Sequence, residues 1–161
     1  NGGDIALHVA PGASLRIGLV RSLRRGVAEG QVTVAPGMGI GGIATSGWPG
    51  RSFSLGIAEA VTVLARDAAT ADAAATVIAN AVDADHPAVR RTPAASLDPD
   101  SDLGNRLVTV DVGRLPDASV QAALDSGAAV AERLLRDGLI LGALLCCQDR
   151  YRACGTLPIT R

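Results

Sequence analysis

The residues best suited to chemistry in this sequence are Asp72 and Thr76, which stand four positions apart in an alanine-rich segment. On a helix, that spacing places both side chains on one face, one turn apart. A carboxylate and a hydroxyl at this separation suit a small hard cation such as Mg²⁺, whose remaining ligands would be water, a backbone carbonyl or substrate phosphates. The alternative is structural, with Asp72 favouring a helix N-terminus and Thr76 packed against its neighbours.

A glycine turn, Asn1-Gly2-Gly3-Asp4, precedes the first predicted strand. Two successive glycines allow the backbone to approach a ligand closely and leave N–H groups bare for a phosphate. The Asn1 amide suits a hydrogen bond to a ring edge or a ribose, and the Asp4 carboxylate suits a ribose hydroxyl or the turn itself. The alternative is an ordinary turn that only connects elements.

A second turn, Thr45-Ser46-Gly47, follows another strand segment. Its backbone and hydroxyl donors suit a diphosphate, and Arg51 is near enough in sequence to add a bidentate phosphate contact. A hairpin turn and a solvated arginine are the alternatives. Trp48 suits either stacking on a flat ring or covering a sheet edge. Together with the Asp-Thr pair, these turns predict a metal and a diphosphate in one site.

The composition limits the class of protein. The chain has 161 residues, enough for one domain, and 48% are apolar although only 2% are aromatic. The core must therefore consist of alanine, valine, leucine and isoleucine. A net charge of −1 gives no general attraction to nucleic acid or to an anionic membrane. All 15 basic residues are arginine, which excludes a Schiff-base lysine and a P-loop lysine.

The cysteine pattern bears on the cellular compartment of the protein, and the first residues bear on whether the sequence is whole. Cys146, Cys147 and Cys154 are an odd number with an adjacent pair, which is a poor disulfide framework, so we expect reduced thiols in a cytoplasmic protein. A redox or metal site at these thiols is the alternative. No apolar run reaches the roughly 18 residues that a membrane span needs, so we expect neither a membrane span nor a signal peptide within the given sequence. Because the sequence begins at Asn1, inside a motif, we expect that an N-terminal part is missing.

Short β-branched or alternating segments predict strands at residues 4–9, 15–20, 31–35, 59–65, 105–112 and 139–147. Helices are predicted over 67–82, with Asp67 or Thr70 as N-cap, and from Pro116 to about Arg136. Residues 83–102 are polar and contain three prolines, which predicts an exposed loop. Because strands follow one another without intervening helices, we expect an α+β fold with a mainly antiparallel sheet packed against two main helices.

The three motifs, in this order, resemble those of the ApbE-type FAD-dependent flavin transferase superfamily. Its pattern runs Asn-x-Gly-Gly-Asp-Ile, Thr-Ser-Gly and Ala-Asp-x-x-x-Thr, and this chain has Asn-Gly-Gly-Asp-Ile, Ala-Thr-Ser-Gly and Ala-Asp-Ala-Ala-Ala-Thr. It is most similar to a short, uncharacterised branch with a Ser-x-Ser-x-Gly stretch, matched here by Ser52-Phe53-Ser54-Leu55-Gly56. The resemblance covers roughly residues 1–82.

The resemblance implies a single ApbE-like domain over 1–161 that binds FAD, with Mg²⁺ at the diphosphate. Asp72 and Thr76 would be the metal ligands. From the resemblance and the turn chemistry together, the residues predicted to bind the cofactor are Asn1, Gly2, Gly3, Asp4, Thr45, Ser46 and Gly47.

Three functions stay open at this point. The first is a magnesium-dependent flavin transferase that moves FMN, or a pyrophosphatase that hydrolyses FAD. The second is a non-catalytic flavin or nucleotide-binding module that supports redox or sulfur metabolism. The third is an assembly protein that forms homo-oligomers through its sheet edges.

Overall fold

The structure is a computed structural model that describes residues 3–20 and 28–160. The strands that precede the first helix are β1 (Ile5–Ala6), β2 (Leu15–Val20), β3 (Ala28–Val34), β4 (Gly42–Ser46) and β5 (Ala60–Ala65). The elements that follow are α1 (Ala68–Ala81), β6 (Val89–Pro93), a 3-10 turn (Ala94–Ser96), β7 (Leu107–Val112), α2 (Asp117–Arg136), β8 (Ile140–Cys147), β9 (Arg150–Gly155) and β10 (Ile159–Thr160).

The central sheet has five strands in the order β1-β4-β5-β8-β9. A second sheet has the order β10-β3-β2, and β6 and β7 form a separate two-stranded ribbon. Every strand pair within the described residues is antiparallel. The prediction of an α+β fold with a mainly antiparallel sheet and two main helices is therefore confirmed.

Alanine allows the two helices to pack closely on one face of the central sheet. Helix α1 is capped at its N-terminus by Asp67, whose carboxylate accepts hydrogen bonds from the Thr70 backbone N–H and hydroxyl, both at 2.8 Å. These bonds lower the pKa of Asp67. The residues that α1 buries are Ala71, Ala74, Ala75, Ile78 and Ala79. Helix α2 buries its own stripe of small and aliphatic residues and contacts α1, β8 and β9.

The core has two parts, one on each face of the central sheet. The helix-side part joins α1 and α2 to residues such as Ala44, Val63 and Leu145. The opposite part joins Ile43 and Leu64 to the second sheet. The alternation of side chains along β4 and β5 divides these residues between the two faces. The protein is thus layered as helices, central sheet and second sheet.

The structure differs from the predicted elements in several places. Within 83–102, where the sequence predicts only an exposed loop, residues 89–93 form β6 and pair with β7. Ion pairs of Arg90 with Asp111 and of Arg91 with Asp83 support this ribbon. Pairing with β7 therefore makes residues 89–93 a strand, although the proline-rich composition favours a loop. The strand predicted over 4–9 is limited to β1, and β9 and β10 are not predicted by the sequence pattern.

Candidate functional site

The two glycine-containing motifs lie beside each other on neighbouring strands. Because Ile5 of β1 pairs with Ile43 of β4, the residues before β1 run alongside the end of β4. The Thr45 N–H donates to the Gly3 carbonyl oxygen at 3.2 Å. Gly3 has a φ of +96°, and a Cβ there would lie 3.2 Å from the Thr45 carbonyl oxygen, so glycine suits this position on both counts. Asn1 and Gly2 lie outside the described residues.

The third motif joins them through α1, which packs against β4 and β5. The pKa of the Asp4 carboxyl is raised, first because burial disfavours its charge and second because the negative charge of Asp72 acts on it. The second cause requires that the two carboxylates lie within electrostatic reach. The fold therefore brings the N-terminal turn and the Asp-x-x-x-Thr segment to the same edge of the central sheet.

Asp72 and Thr76 are both exposed, on the side of α1 away from the buried Ala71 and Ala75. Helix α1 starts at Ala68, and its first turn contains no acidic residue, so Asp72 is outside the region where a helix N-terminus favours negative charge. Thr76 does not pack in the core either. The structure therefore does not support the alternative in which Asp72 stabilises the helix N-terminus and Thr76 packs against its neighbours. Both side chains are accessible to a ligand.

The prediction that Thr45 and Ser46 lie in a turn was wrong: they are the last two residues of β4 and pair with Thr62 and Val61, so the turn starts only after them. Their two hydroxyls have different surroundings. The Thr45 hydroxyl lies 2.8 Å from the hydroxyl of Thr62, which is only 3% exposed. Strand alternation places this pair on the face of the second sheet, the same face as Ile43. Ser46, the next residue, is partly exposed and alternates to the face that carries α1. Of the two, Ser46 therefore presents its hydroxyl on the side of Asp72.

Gly47 follows β4 and lies against the residue before β5. A Cβ at Gly47 would lie 2.5 Å from the Glu59 carbonyl oxygen, so this turn requires glycine. The Trp48 backbone N–H donates to the Ala58 carbonyl oxygen at 3.0 Å, and Trp48 is half-buried. Arg51 is exposed. The turn is therefore fixed to the sheet by its backbone, and Arg51 lies at its solvent side.

These residues offer an incomplete oxygen set for a cation. Within 3–20 and 28–160, no group of three or more histidine, cysteine, aspartate or glutamate side chains is placed to hold a metal. The carboxylates of Asp4 and Asp72 and the hydroxyl of Thr76 fit a hard divalent cation by donor type, and phosphate oxygens and water suit its remaining positions.

None of the three cysteines forms a disulfide, and all three are buried. Burial raises the pKa of Cys147 to about 12, and the charges of Glu59 and Cys146 add to the effect. Burial also raises the pKa of Cys154. The thiolate is the reactive form, so these environments suppress thiol chemistry.

We therefore expect a thiol reagent such as DTNB to label essentially none of the three cysteines in the native protein at neutral pH. In denaturant, all three should react quickly, because a free thiol has an ordinary pKa of about 8.5. Counting the released thionitrobenzoate before and after unfolding tests this. Rapid labelling of one thiol in the native protein would contradict it and would favour a redox role for that residue.

The structure also contains a cavity that sequence reasoning missed. It has a volume of about 450 Å³ and lies between the N-terminal end of α2 and the turn from β8 to β9. Its charged and polar lining residues are Glu59, Arg114, Asp117, Gln148, Asp149 and Arg150. Because β9 was not predicted, the two-residue hairpin turn Gln148-Asp149 between β8 and β9 was not recognised from the sequence.

The fold defines an α+β protein, and its candidate site residues lie at the β1 edge of the central antiparallel sheet. The profile of the family described as "AbpE bacteria" matches residues 1–154, and the chain belongs to this family. A UPF0280 protein of Methanoculleus marisnigri is 41% identical over 90 residues. That match covers 55% of this chain and 36% of the relative, so it spans about a third of the relative's length.

No helix within the described ranges combines the length and the apolar character that crossing a membrane requires. The longest, α2, has 20 residues and carries charged side chains along its exposed side.

Proposed function

We propose that this protein is an ApbE-like flavin-nucleotide binding protein that binds FAD together with Mg²⁺ at the edge formed by β1, β4 and α1. The observation that carries the proposal is that the three motifs meet at one sheet edge. The Thr45 backbone N–H donates to the Gly3 carbonyl oxygen at 3.2 Å, and α1, which carries the exposed Asp72 and Thr76, packs against β4. The negative charge of Asp72 contributes to the raised pKa of Asp4, and a bound cation would relieve this repulsion.

The residues divide into two roles. Asp72 and Thr76 hold the cation, and Asp4 strengthens its electrostatic attraction. The backbone around Gly3 and the turn after Ser46 approach the diphosphate, because neither has a bulky side chain in the way. When bound, Mg²⁺ polarises the phosphate oxygens and neutralises their charge. The chain's own residues fix the position of the diphosphate relative to that cation.

The enzymatic form of this proposal is FMN transfer to an acceptor or hydrolysis of FAD at its diphosphate, and either reaction releases AMP. The exposure of Asp72 and Thr76 supports it, since both a nucleotide and a second reactant need access to this edge. A binding module without turnover would use the same residues to hold the nucleotide.

Isothermal titration and product analysis together test the proposal. FAD should bind in the presence of Mg²⁺ and bind much more weakly in EDTA, whereas FMN, which lacks the diphosphate, should bind weakly in both. Release of AMP from FAD with Mg²⁺ identifies the enzyme, and binding without AMP identifies the module. Failure of FAD to bind with Mg²⁺ would contradict both forms.

A further inference from the structure

We propose that the cavity at the N-terminal end of α2 binds a small zwitterion, with its carboxylate or phosphate group on Arg114 and its ammonium group on Asp149. These residues belong to none of the three motifs assigned to FAD, so this proposal holds whether or not FAD binds. The cavity volume of about 450 Å³ lies within the usual range for small-molecule sites.

The cavity is held in shape by Gln148. Its side-chain Nε2 donates to the Gly113 carbonyl oxygen at 2.6 Å, and its Oε1 accepts from the Leu115 N–H at 3.0 Å. The Gln148 backbone N–H donates to Glu59 Oε2 at 3.1 Å. One residue thus ties together the segment before α2, the β8–β9 turn and the start of β5. Because the walls are already ordered, a ligand loses little affinity to loop ordering.

Gln148 and Asp149 form the two-residue turn of the hairpin between β8 and β9. Gln148 has a φ of +45° and Asp149 a φ of +63°, and neither is glycine. Positive φ at both central residues is what a two-residue type I′ hairpin requires, and Cys147 pairs directly with Arg150, so the pairing of β8 with β9 accounts for this conformation. The hydrogen bonds of Gln148 hold the turn against Gly113, Leu115 and Glu59. The result is that the Asp149 side chain is presented on the cavity wall.

The charges of the cavity favour a ligand with both signs. Arg150 forms an ion pair with Asp117, so these two charges are matched within the protein. The Arg114 guanidinium and the Asp149 carboxylate are exposed, and neither forms an ion pair or side-chain hydrogen bond with another residue of the described ranges. One positive and one negative group are therefore available.

A simple anion would meet the carboxylates of Glu59, Asp117 and Asp149, and a simple cation would meet the guanidinium of Arg114. A zwitterion satisfies both groups, since a guanidinium binds carboxylate or phosphate as a planar fork and a carboxylate accepts from ammonium. The polar lining also excludes an apolar ligand from most of the wall.

The test uses the whole chain, ¹⁵N-labelled, with O-phosphoethanolamine and β-alanine as zwitterionic probes. Inorganic phosphate and ethanolamine are the matched single-charge probes. We expect at least one zwitterion to bind with a Kd on the order of 1 mM or tighter and to shift the Leu115 amide and the Gln148 side-chain amide. The preferred zwitterion distinguishes a phosphate from a carboxylate ligand. The single-charge probes should bind at least about tenfold more weakly.

Two variants and one control locate the site. Arg114→Ala and Asp149→Asn should each weaken the zwitterion at least about tenfold, while Arg136→Ala, at the other end of α2, should change nothing. All three side chains are exposed, so folding should be retained and is checked by the unchanged spectrum elsewhere. The proposal is overturned if neither zwitterion shifts these amides, if phosphate alone binds equally well, or if FAD shifts the same amides, which would make the cavity part of the flavin site.

Discussion

Replacement of Asp72 by asparagine is expected to reduce Mg²⁺-dependent AMP release from FAD, or FAD affinity if the protein only binds, by at least about 100-fold. The substitution keeps the shape of the side chain but removes the charge that the cation requires. Asp72 is exposed on α1 and is not a cap, so the variant should fold as the wild type does. The measurement is a titration of FAD against Mg²⁺ with AMP quantified by chromatography.

Two comparisons make this prediction specific. Asp102→Asn removes an exposed carboxylate from a distant turn and should leave activity and affinity unchanged. Thr76→Val should weaken the Mg²⁺ dependence, and Thr76→Ser, which keeps the hydroxyl oxygen, should restore most of it. If Asp72→Asn shows the same Mg²⁺ dependence as the wild type, Asp72 is not a metal ligand, whether or not the protein binds FAD.

Replacement of Gly42 by alanine is expected to destabilise the protein by about 3 kcal/mol or more. A Cβ at Gly42 would lie 2.2 Å from the Asp67 carbonyl carbon and 2.3 Å from the Ala68 amide nitrogen. These are backbone atoms at the start of α1, which cannot rotate away as a flexible side chain would. The helix must therefore move away from β4, and the alanine packing beneath it is lost. Urea unfolding followed by circular dichroism measures the change.

Gly39→Ala is the matched control for this prediction. Gly39 has a φ of +70°, and no atom lies within 4 Å of the position that a Cβ would take, so only the backbone conformation is disfavoured. That variant should cost about 1–2 kcal/mol. Equal destabilisation by the two substitutions would show that α1 does not lie as close to β4 as the structure places it.

The close approach at Gly42 also bears on the site. It fixes the start of α1 against the first residue of β4, and Asp72 lies one turn further along the same helix. Small residues at this contact therefore do more than fill the core. They set the distance between the helix that carries the proposed metal ligands and the strands that carry the glycine turns. Any activity that Gly42→Ala loses should therefore be proportional to the fraction of the protein that is no longer folded.

The local elements were predictable where one local pattern dominates. Alanine content and the capping chemistry of Asp67 identify α1, and Pro116 followed by a helical apolar period identifies α2. The strand β8 is an uninterrupted apolar run. In contrast, β6 contains Pro93 and two arginines, and it is a strand only because β7 lies beside it. Pairing partners that are distant in sequence leave no local pattern.

The candidate site was predictable in its members but not in its geometry. The spacing of Asp72 and Thr76 determines by itself that they share a helix face, because the helical repeat fixes it. Whether that face points to solvent or into the core depends on which alanines α1 buries. Similarly, the Thr45 hydroxyl lies with Thr62 because of the register of β4 against β5, which sequence alone does not reveal.

The amino-acid sequence determined the α+β class, the two helices and the three motifs, because capping, periodicity and turn chemistry act over a few neighbouring residues. Only the tertiary structure decided that Asp4 lies within electrostatic reach of Asp72, that the backbone of other elements fills the space beside Gly42 and Gly47, and that Gln148 closes a charged cavity. Each of these depends on contacts between segments far apart in the chain, and those contacts are fixed by sheet order and helix packing rather than by local residue preference.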